Sequence, residues 1–183
     1  MKKGIVLLTG FLLAFSIFLV GCGKQNDDIK ASKHNESIES NEKKETKTNT
    51  FKNGILENED VKITITSHKV IPVGEKGNEY GDKPVIAFWY DITNKSGSDI
   101  TPLAWIDFIE ANQDNNPNQV NKIDVASLPD DKFLNSQMED IKKGGTAQCA
   151  VAYYLDDKKT PVELICLNMG TDEIYGKTTY DIK

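Results

Sequence analysis

Residues 84–94 constrain the fold of this chain more than any other stretch, because they predict a strand with apolar side chains on both faces. Ile86, Phe88, Tyr90 and Ile92 fall on one face, and Val85, Ala87 and Trp89 fall on the other. Successive side chains of a strand point to opposite sides of the sheet. We therefore expect this strand to be central in its sheet and at least partly covered on both sides.

The other apolar runs are short and separated by turn residues, which is typical of an all-β chain. Further strands are predicted at residues 55–56, 61–66, 103–110, 120–128, 146–155, 162–167 and 175–182. A short helix is predicted at 130–141, and loops at 72–83 and 112–121. No helical-period pattern is long enough to cover a sheet, so the sequence favours an antiparallel β-sandwich over a βαβ sheet.

The first residues have the pattern of an export signal. Two lysines after Met1 precede residues 5–20, which carry no charge. The motif Leu19-Val20-Gly21-Cys22 resembles a bacterial lipobox, in which the cysteine thiol receives a diacylglycerol and the chain is cut before the cysteine. We expect a lipoprotein signal peptide at 1–21 and a protein lipid-anchored through Cys22 to the outer face of the cytoplasmic membrane.

Two alternatives remain open for this segment. Residues 5–20 are shorter than the roughly 20 apolar residues of a transmembrane helix, and Thr9, Gly10 and Ser16 interrupt them. An ordinary cleaved signal peptide would make Cys22 incidental, but no A-x-A-like cleavage site precedes the polar region.

Residues 22–50 are predicted to be a disordered tether, with the folded domain at 51–183. Residues 23–50 have no aromatic side chain, and their six lysines balance six acidic residues. Such a segment cannot bury enough apolar surface to offset its chain entropy. We expect His34, within the tether, to be solvated.

The charge balance argues against one class of partner. Loss of Lys2 and Lys3 with the signal peptide takes the formal net charge from −6 to −8, and all of it lies in residues 51–183. An acidic domain is unsuited to nucleic acid or to lying flat on anionic lipid. We expect a membrane contact through the anchor on Cys22, an envelope protein or a wall polymer as partner, and no nucleic acid.

Several turn and strand motifs are spread over most of the domain. They are Phe51-x-Asn53-Gly54, Val61-Lys62-Ile63-Thr64, Val85-Ile86-Ala87-Phe88-x-Tyr90-Asp91-x-Thr93-Asn94-Lys95-Ser96, Gln113-Asp114, Lys143-Gly144-Gly145-Thr146, Tyr153-Tyr154-Leu155-Asp156-Asp157 and Pro161-Val162-Glu163-Leu164. With these motifs the domain resembles an uncharacterised immunoglobulin-like family of surface lipoproteins from low-GC Gram-positive bacteria. The resemblance implies an immunoglobulin-like β-sandwich and no catalytic residues, and a cysteine pair is not part of its pattern.

The residue pattern gives little support to catalysis or metal binding. His68 falls on the polar face of its predicted strand, with Val61, Ile63 and Ile65 on the other face. Nucleophilic catalysis needs a base beside the nucleophile, and this exposed position does not favour such a role for His68. Residues 112–116 lack the glycine and the terminal glutamate of an EF-hand loop, which favours a solvated turn over a calcium site. We expect no catalytic residue, no metal and no cofactor.

The paired carboxylates Asp130-Asp131 and Asp156-Asp157 keep a second function open. A small wall-polymer hydrolase would use two such groups facing each other across a cleft. An acidic domain supplies such pairs without catalysis, so a non-catalytic binding or envelope-accessory role remains our expectation.

Trp89 and Trp105 are the candidate binding residues. By strand alternation both point away from the apolar face of their strands, and neighbouring strands would place them on one outer face. Exposed aromatic patches are a common binding device. The alternative is that both fill a second layer or lie under the loop after Asn112.

Cys149 and Cys166 are predicted to form a disulfide. If residues 146–155 and 162–167 pair as a hairpin, Cys149 faces Cys166 directly, at a separation that suits a disulfide. The spacing of the two cysteines does not suit zinc. Two alternatives remain open: buried free thiols, and strands that lie in different sheets.

Overall fold

The computed structural model describes residues 49–168 and 170–182, in which eight strands form two antiparallel sheets. The strands are β1 Thr50–Lys52, β2 Ile55–Glu57, β3 Val61–Ile71, β4 Val85–Asn94, β5 Ile109–Gln113, β6 Thr146–Tyr154, β7 Val162–Asn168 and β8 Glu173–Tyr180. One sheet has the order β1-β2-β3-β4-β6 and the other β5-β7-β8. The predicted antiparallel β-sandwich is confirmed. The predicted signal peptide, Cys22, His34 and the tether up to residue 48 lie outside the described residues.

β4 is the central strand, as its two apolar faces predict. It pairs with β3 on one side and β6 on the other. Its inner face contributes four buried side chains to the core between the sheets, namely Ile86, Phe88, Tyr90 and Ile92. Its outer face forms a second, smaller cluster in which Val85 and Ala87 pack with Ile71 and Ala152.

The segment that follows the loop after β5 joins the two sheets along one side. It was predicted as a strand at 120–128, but the structure has two isolated bridges, Asn112 with Lys122 and Val125 with Tyr153. The first bridge lies on β5 and the second on β6. One short segment therefore closes the edge of both sheets.

Two further predicted elements were wrong. Residues 103–110 were expected to be one strand, but a 3-10 helix, Pro102–Asp107, precedes β5. Proline favours the first turn of a helix, because its φ is fixed and its missing N–H has no partner there. The helix predicted at 130–141 is two short 3-10 turns, Asp131–Phe133 and Ser136–Met138.

A β-bulge in β3 reverses the predicted direction of His68. The register shifts between Ile65 and Ser67, so one extra residue is accommodated and the alternation changes phase. His68 then pairs with Phe88, whose side chain lies in the core between the sheets. The His68 ring remains exposed, but its centroid lies 4.9 Å from that of Tyr180 in an edge contact.

The hairpin between β1 and β2 brings this edge of the larger sheet close to β8. Asn53 and Gly54 form its two-residue turn with φ of 53° and 73°, as type I′ turns require. A Cβ added to Gly54 would lie 2.8 Å from the hydroxyl oxygen of Tyr180.

The described residues contain no helix with the length and hydrophobicity needed to cross a membrane.

The Tyr153 hydroxyl group provides a test of the core. It accepts a hydrogen bond from Trp105 Nε1 at 2.7 Å and donates one to the carbonyl oxygen of Ile109 at 3.2 Å. Tyr153→Phe leaves both buried partners unpaired, so we expect it to lower the free energy of unfolding by about 1–3 kcal/mol. Urea denaturation measures this change. The control is Tyr154→Phe, at a half-buried residue, and an equal loss in both variants would contradict the role given to Tyr153.

Candidate functional site

The two candidate tryptophans do not share a face. Trp105 is 0% exposed, and its ring centroid lies 4.6 Å from that of Tyr90 in the main core. Of the two possibilities, the buried one applies to Trp105, because the residue lies on a 3-10 helix and strand alternation does not apply. Trp89 is half-buried on the outer face of the larger sheet, and its Nε1 donates to Asp130 Oδ2 at 3.0 Å.

Trp89 borders a small crevice of about 190 Å³. Phe133 and Lys132 form part of its lining, with Lys132 Nζ 4.5 Å from the centre of the Phe133 ring. Ligand pockets commonly have volumes of roughly 300–1,000 Å³. The crevice is below that range, and the polar atom of Trp89 already has a partner within the chain.

Cys149 and Cys166 are free and buried. The predicted hairpin is wrong, because β6 pairs with β4 in one sheet whereas β7 pairs with β5 and β8 in the other. The two cysteines therefore lie on strands of different sheets and do not form the predicted disulfide. Burial raises the pKa of Cys166 to about 12 and also raises the pKa of Cys149, so both thiols are kept protonated.

Asp130, the first member of the pair Asp130-Asp131, has a structural role. Asp130 accepts hydrogen bonds from Trp89 Nε1 and from the backbone N–H of Lys132. Burial raises the pKa of Asp130, but the hydrogen bonds from Trp89 and Lys132 outweigh it and hold the pKa below its usual value. This carboxylate is ionised and already bonded, unlike the general acid of a glycosidase.

The second acidic pair belongs to the loop between β6 and β7. A hydrogen bond from Asn121, reinforced by Lys83, lowers the pKa of Asp156. The backbone N–H groups of Thr160 and Lys159 lower the pKa of Asp157 well below its usual range. Both groups therefore stabilise loop conformations in their ionised form.

Gln113 holds this loop against the end of β5. It is 0% exposed, and its amide makes four hydrogen bonds to the backbone of the loop. Nε2 donates to the carbonyl oxygens of Asp157 at 3.2 Å and Thr160 at 2.8 Å, and Oε1 accepts from the N–H groups of Asp156 at 2.7 Å and Asp157 at 3.3 Å. A buried amide with all its bonding capacity used fixes the loop strongly.

A cavity of about 440 Å³ lies on the opposite side of β5. We call it the loop cavity, because residues 114–121 form one wall and the outer face of the smaller sheet forms the other. Five carboxamide side chains line it, namely Asn112, Asn116, Asn118, Gln119 and Asn121. The strand wall contributes Ile165 and an ion pair in which Lys177 Nζ lies 2.9 Å from Glu163 Oε2.

The loop wall of the cavity, residues 114–121, is held near both ends by Asp156 and Asp157 of the neighbouring loop. Asn115 Nδ2 donates to Asp157 Oδ2 at 3.1 Å, and Asn121 Nδ2 donates to Asp156 Oδ2 at 2.9 Å. The backbone N–H of Gln113 donates to the carbonyl oxygen of Asn121 at 3.0 Å and closes the base. The cavity is therefore pre-formed rather than created by an unsupported loop.

Asn112 differs from its neighbour Gln113. It is 9% exposed, and its Oδ1 is buried with no hydrogen-bond partner in the described part of the chain. Buried polar atoms in proteins nearly always have a partner, so each exception calls for an explanation.

Among residues 49–168 and 170–182, no three His, Cys, Asp or Glu side chains come together in a way that could hold a metal ion.

Sequence reasoning missed the role of Gln113. It considered residues 112–116 as oxygen ligands for calcium and favoured a solvated turn in a loop, whereas β5 runs through Gln113. The signal was the alternation of Ile109, Ala111 and Gln113, which puts a polar amide in phase with apolar core residues. Such a residue indicates a buried hydrogen-bonding group.

The chain belongs to the family described as Domain of unknown function (DUF5067), whose model matches residues 36–168. The resemblance to an uncharacterised domain family is thereby confirmed.

A solved structure of a "putative lipoprotein" from Staphylococcus aureus is similar to this chain. The two are 26% identical, the match covers 73% of this chain and 91% of the other, and the TM-score is 0.58. The comparison with curated proteins found no match.

Replacement of Gln113 tests the loop contact. Gln113→Leu keeps the approximate volume but leaves the backbone groups of Asp156, Asp157 and Thr160 without their partner. We expect a loss of about 2–3 kcal/mol in the free energy of unfolding and faster hydrogen exchange at the Asp156 and Asp157 amides. The control is Gln137→Leu, where the side chain makes one bond of 3.3 Å at an exposed site. Unchanged exchange rates in Gln113→Leu would contradict this role.

Proposed function

We propose that this protein is a lipoprotein anchored through Cys22 to the outer face of the cytoplasmic membrane, whose β-sandwich binds an envelope component without catalysing a reaction. The observation that carries the proposal is the motif Leu19-Val20-Gly21-Cys22 after an uncharged run. The similar Staphylococcus aureus protein, described as a "putative lipoprotein", supports it. Two acyl chains on one cysteine make such an anchor durable.

The position of the loop cavity supports a binding role. The first strand begins at Thr50, which pairs with Glu57, and Glu57 pairs with Lys62 at one end of the larger sheet. Val85 pairs with Tyr154 at the other end, and the loop that follows Tyr154 is the one bonded to Gln113. The cavity therefore lies at the end of the sandwich away from the entry of the chain.

The state of the carboxylates supports a role without catalysis. A wall-polymer hydrolase needs one carboxyl group whose raised pKa keeps it protonated as a general acid. In each predicted acidic pair, hydrogen bonds lower the pKa of at least one member: Asp130, Asp156 and Asp157. These carboxylates are more consistent with stabilising their turns and loops than with forming a catalytic pair.

The anchor is tested by the mass of the protein extracted from membranes. We expect the intact mass to correspond to a chain that starts at Cys22 and carries diacylglycerol, because the lipobox directs both steps. Cys22→Ser should abolish the added mass and leave the protein unprocessed or released into the medium. The control is Cys166→Ala, which leaves the motif intact. An unmodified Cys22 in the wild-type protein would overturn the anchor.

The binding role is tested by site-specific photo-crosslinking in intact cells. Val120 lies in the cavity lining and is 83% exposed, whereas Ile174 is 56% exposed near the other end of the smaller sheet. A benzophenone side chain at 120 should give a discrete crosslinked product, because a bound component lies within its reach. The matched substitution at 174 should not. Equal labelling from both positions, or none from 120, would contradict binding at the loop cavity.

A further inference from the structure

Asn112, in the lining of the loop cavity, has a buried side-chain oxygen without a hydrogen-bond partner in the described residues. Gln113 shows that the same end of β5 can satisfy a buried amide completely, with four hydrogen bonds. Asn112 Oδ1 has none within the described residues, although its side chain is nine-tenths buried and belongs to the cavity lining. The terminal torsion of asparagine is broad, so this acceptor is free to reorient when a ligand enters the cavity. It suits an O–H or N–H donor from a ligand.

The remaining polar lining favours a ligand with many hydroxyl groups. Carboxamides offer donors and acceptors side by side, as do the hydroxyl groups of a sugar. Asn116 and Gln119 are already bonded to each other, through Nδ2 and Oε1 at 3.2 Å, which orders this part of the wall. The side chain of Asn118 lines the cavity next to them.

The charges of the cavity argue against an ionic ligand. Lys177 and Glu163 neutralise each other at 2.9 Å, which leaves Asp114 as the remaining charged side chain of the lining. An anionic ligand would meet that carboxylate in a domain of formal net charge −8. A cation would meet the Lys177 ammonium group and too few carboxylates for a closed coordination shell.

The loop cavity also has apolar side chains in its lining. Ile165 lies on the strand wall and is 9% exposed, and Val120 lies on the loop wall and is 83% exposed. The C–H faces of a sugar ring can pack against such side chains. The volume of about 440 Å³ falls within the usual range for small-ligand sites.

We infer that the loop cavity binds a neutral carbohydrate, with the Asn112 side-chain amide hydrogen-bonded to one of its hydroxyl groups. The inference rests on the proposed binding function and names its ligand class.

The test titrates the full chain, in a zwitterionic detergent free of sugar, with three neutral trisaccharides: chitotriose, cellotriose and maltotriose. Isothermal titration calorimetry should show binding of at least one, with a Kd of about 1 mM or tighter. Asn112→Leu should weaken this binding at least tenfold. It should not lower the unfolding temperature, because it removes a buried acceptor that has no partner.

Two further variants make the result specific. Asn118→Ala, at a lining residue whose side chain has no hydrogen bond in the described structure, should also weaken binding. Asn135→Ala, at an exposed residue whose side chain does not cap its 3-10 turn, should leave it unchanged. If Asn112→Leu does not fold, Asn118→Ala decides the outcome.

Four results would overturn the inference: no binding of any neutral trisaccharide, full binding by the Asn112→Leu and Asn118→Ala variants, equal affinity for trigalacturonic acid, or saturable binding of calcium chloride alone at the same residues. Failure of the sugars with a crosslink retained at residue 120 would remove the ligand class and leave the proposed function standing. Failure of both would remove the binding function as well.

Discussion

Burial of β4 on both faces is the constraint on which the rest of the structure depends. Its inner side chains require a second sheet, and its outer ones, Val85 and Ala87, require cover from the segment that carries Ala126. That cover comes from residues 122–126, which cross from the edge of β5 to the edge of β6. The wall of the loop cavity is continuous with this segment at Asn121.

The contrast between Asn112 and Gln113 follows from the alternation of β5. Adjacent residues of a strand face opposite ways, so Gln113 enters the sandwich and Asn112 faces the cavity wall. Inside, rigid backbone groups of the neighbouring loop surround the Gln113 amide and satisfy it. Outside, residues 114–121 bond mainly to one another and to the acidic pair that fixes them. The same residue chemistry serves stability on one side of the strand and, we propose, recognition on the other.

Local pattern was sufficient to predict the architecture but not the pairing of strands. The alternation in β3, β4, β6 and β7 located those strands, and the Asn53-Gly54 motif forms a turn. The predicted hairpin of β6 and β7 was wrong because strand pairing depends on contacts across the whole core. Gln113, at the end of β5 in the smaller sheet, binds the loop that connects them. Trp105 was misplaced because the effect of Pro102 on the next turn outweighed an apparent strand period. The unpartnered Asn112 oxygen was beyond sequence reasoning, since it depends on which groups a folded loop leaves nearby.

The two ends of the described domain lie at opposite ends of the sandwich. Thr50 is at the end far from the loop cavity, whereas Tyr180 pairs with Val162, whose other neighbour is Gln113. A fluorophore, affinity tag or sensor surface joined after Ile182 would therefore crowd the cavity, and one joined ahead of Thr50 would leave it open. The orientation of the protein on a biosensor chip would then decide whether a weak ligand is detected at all.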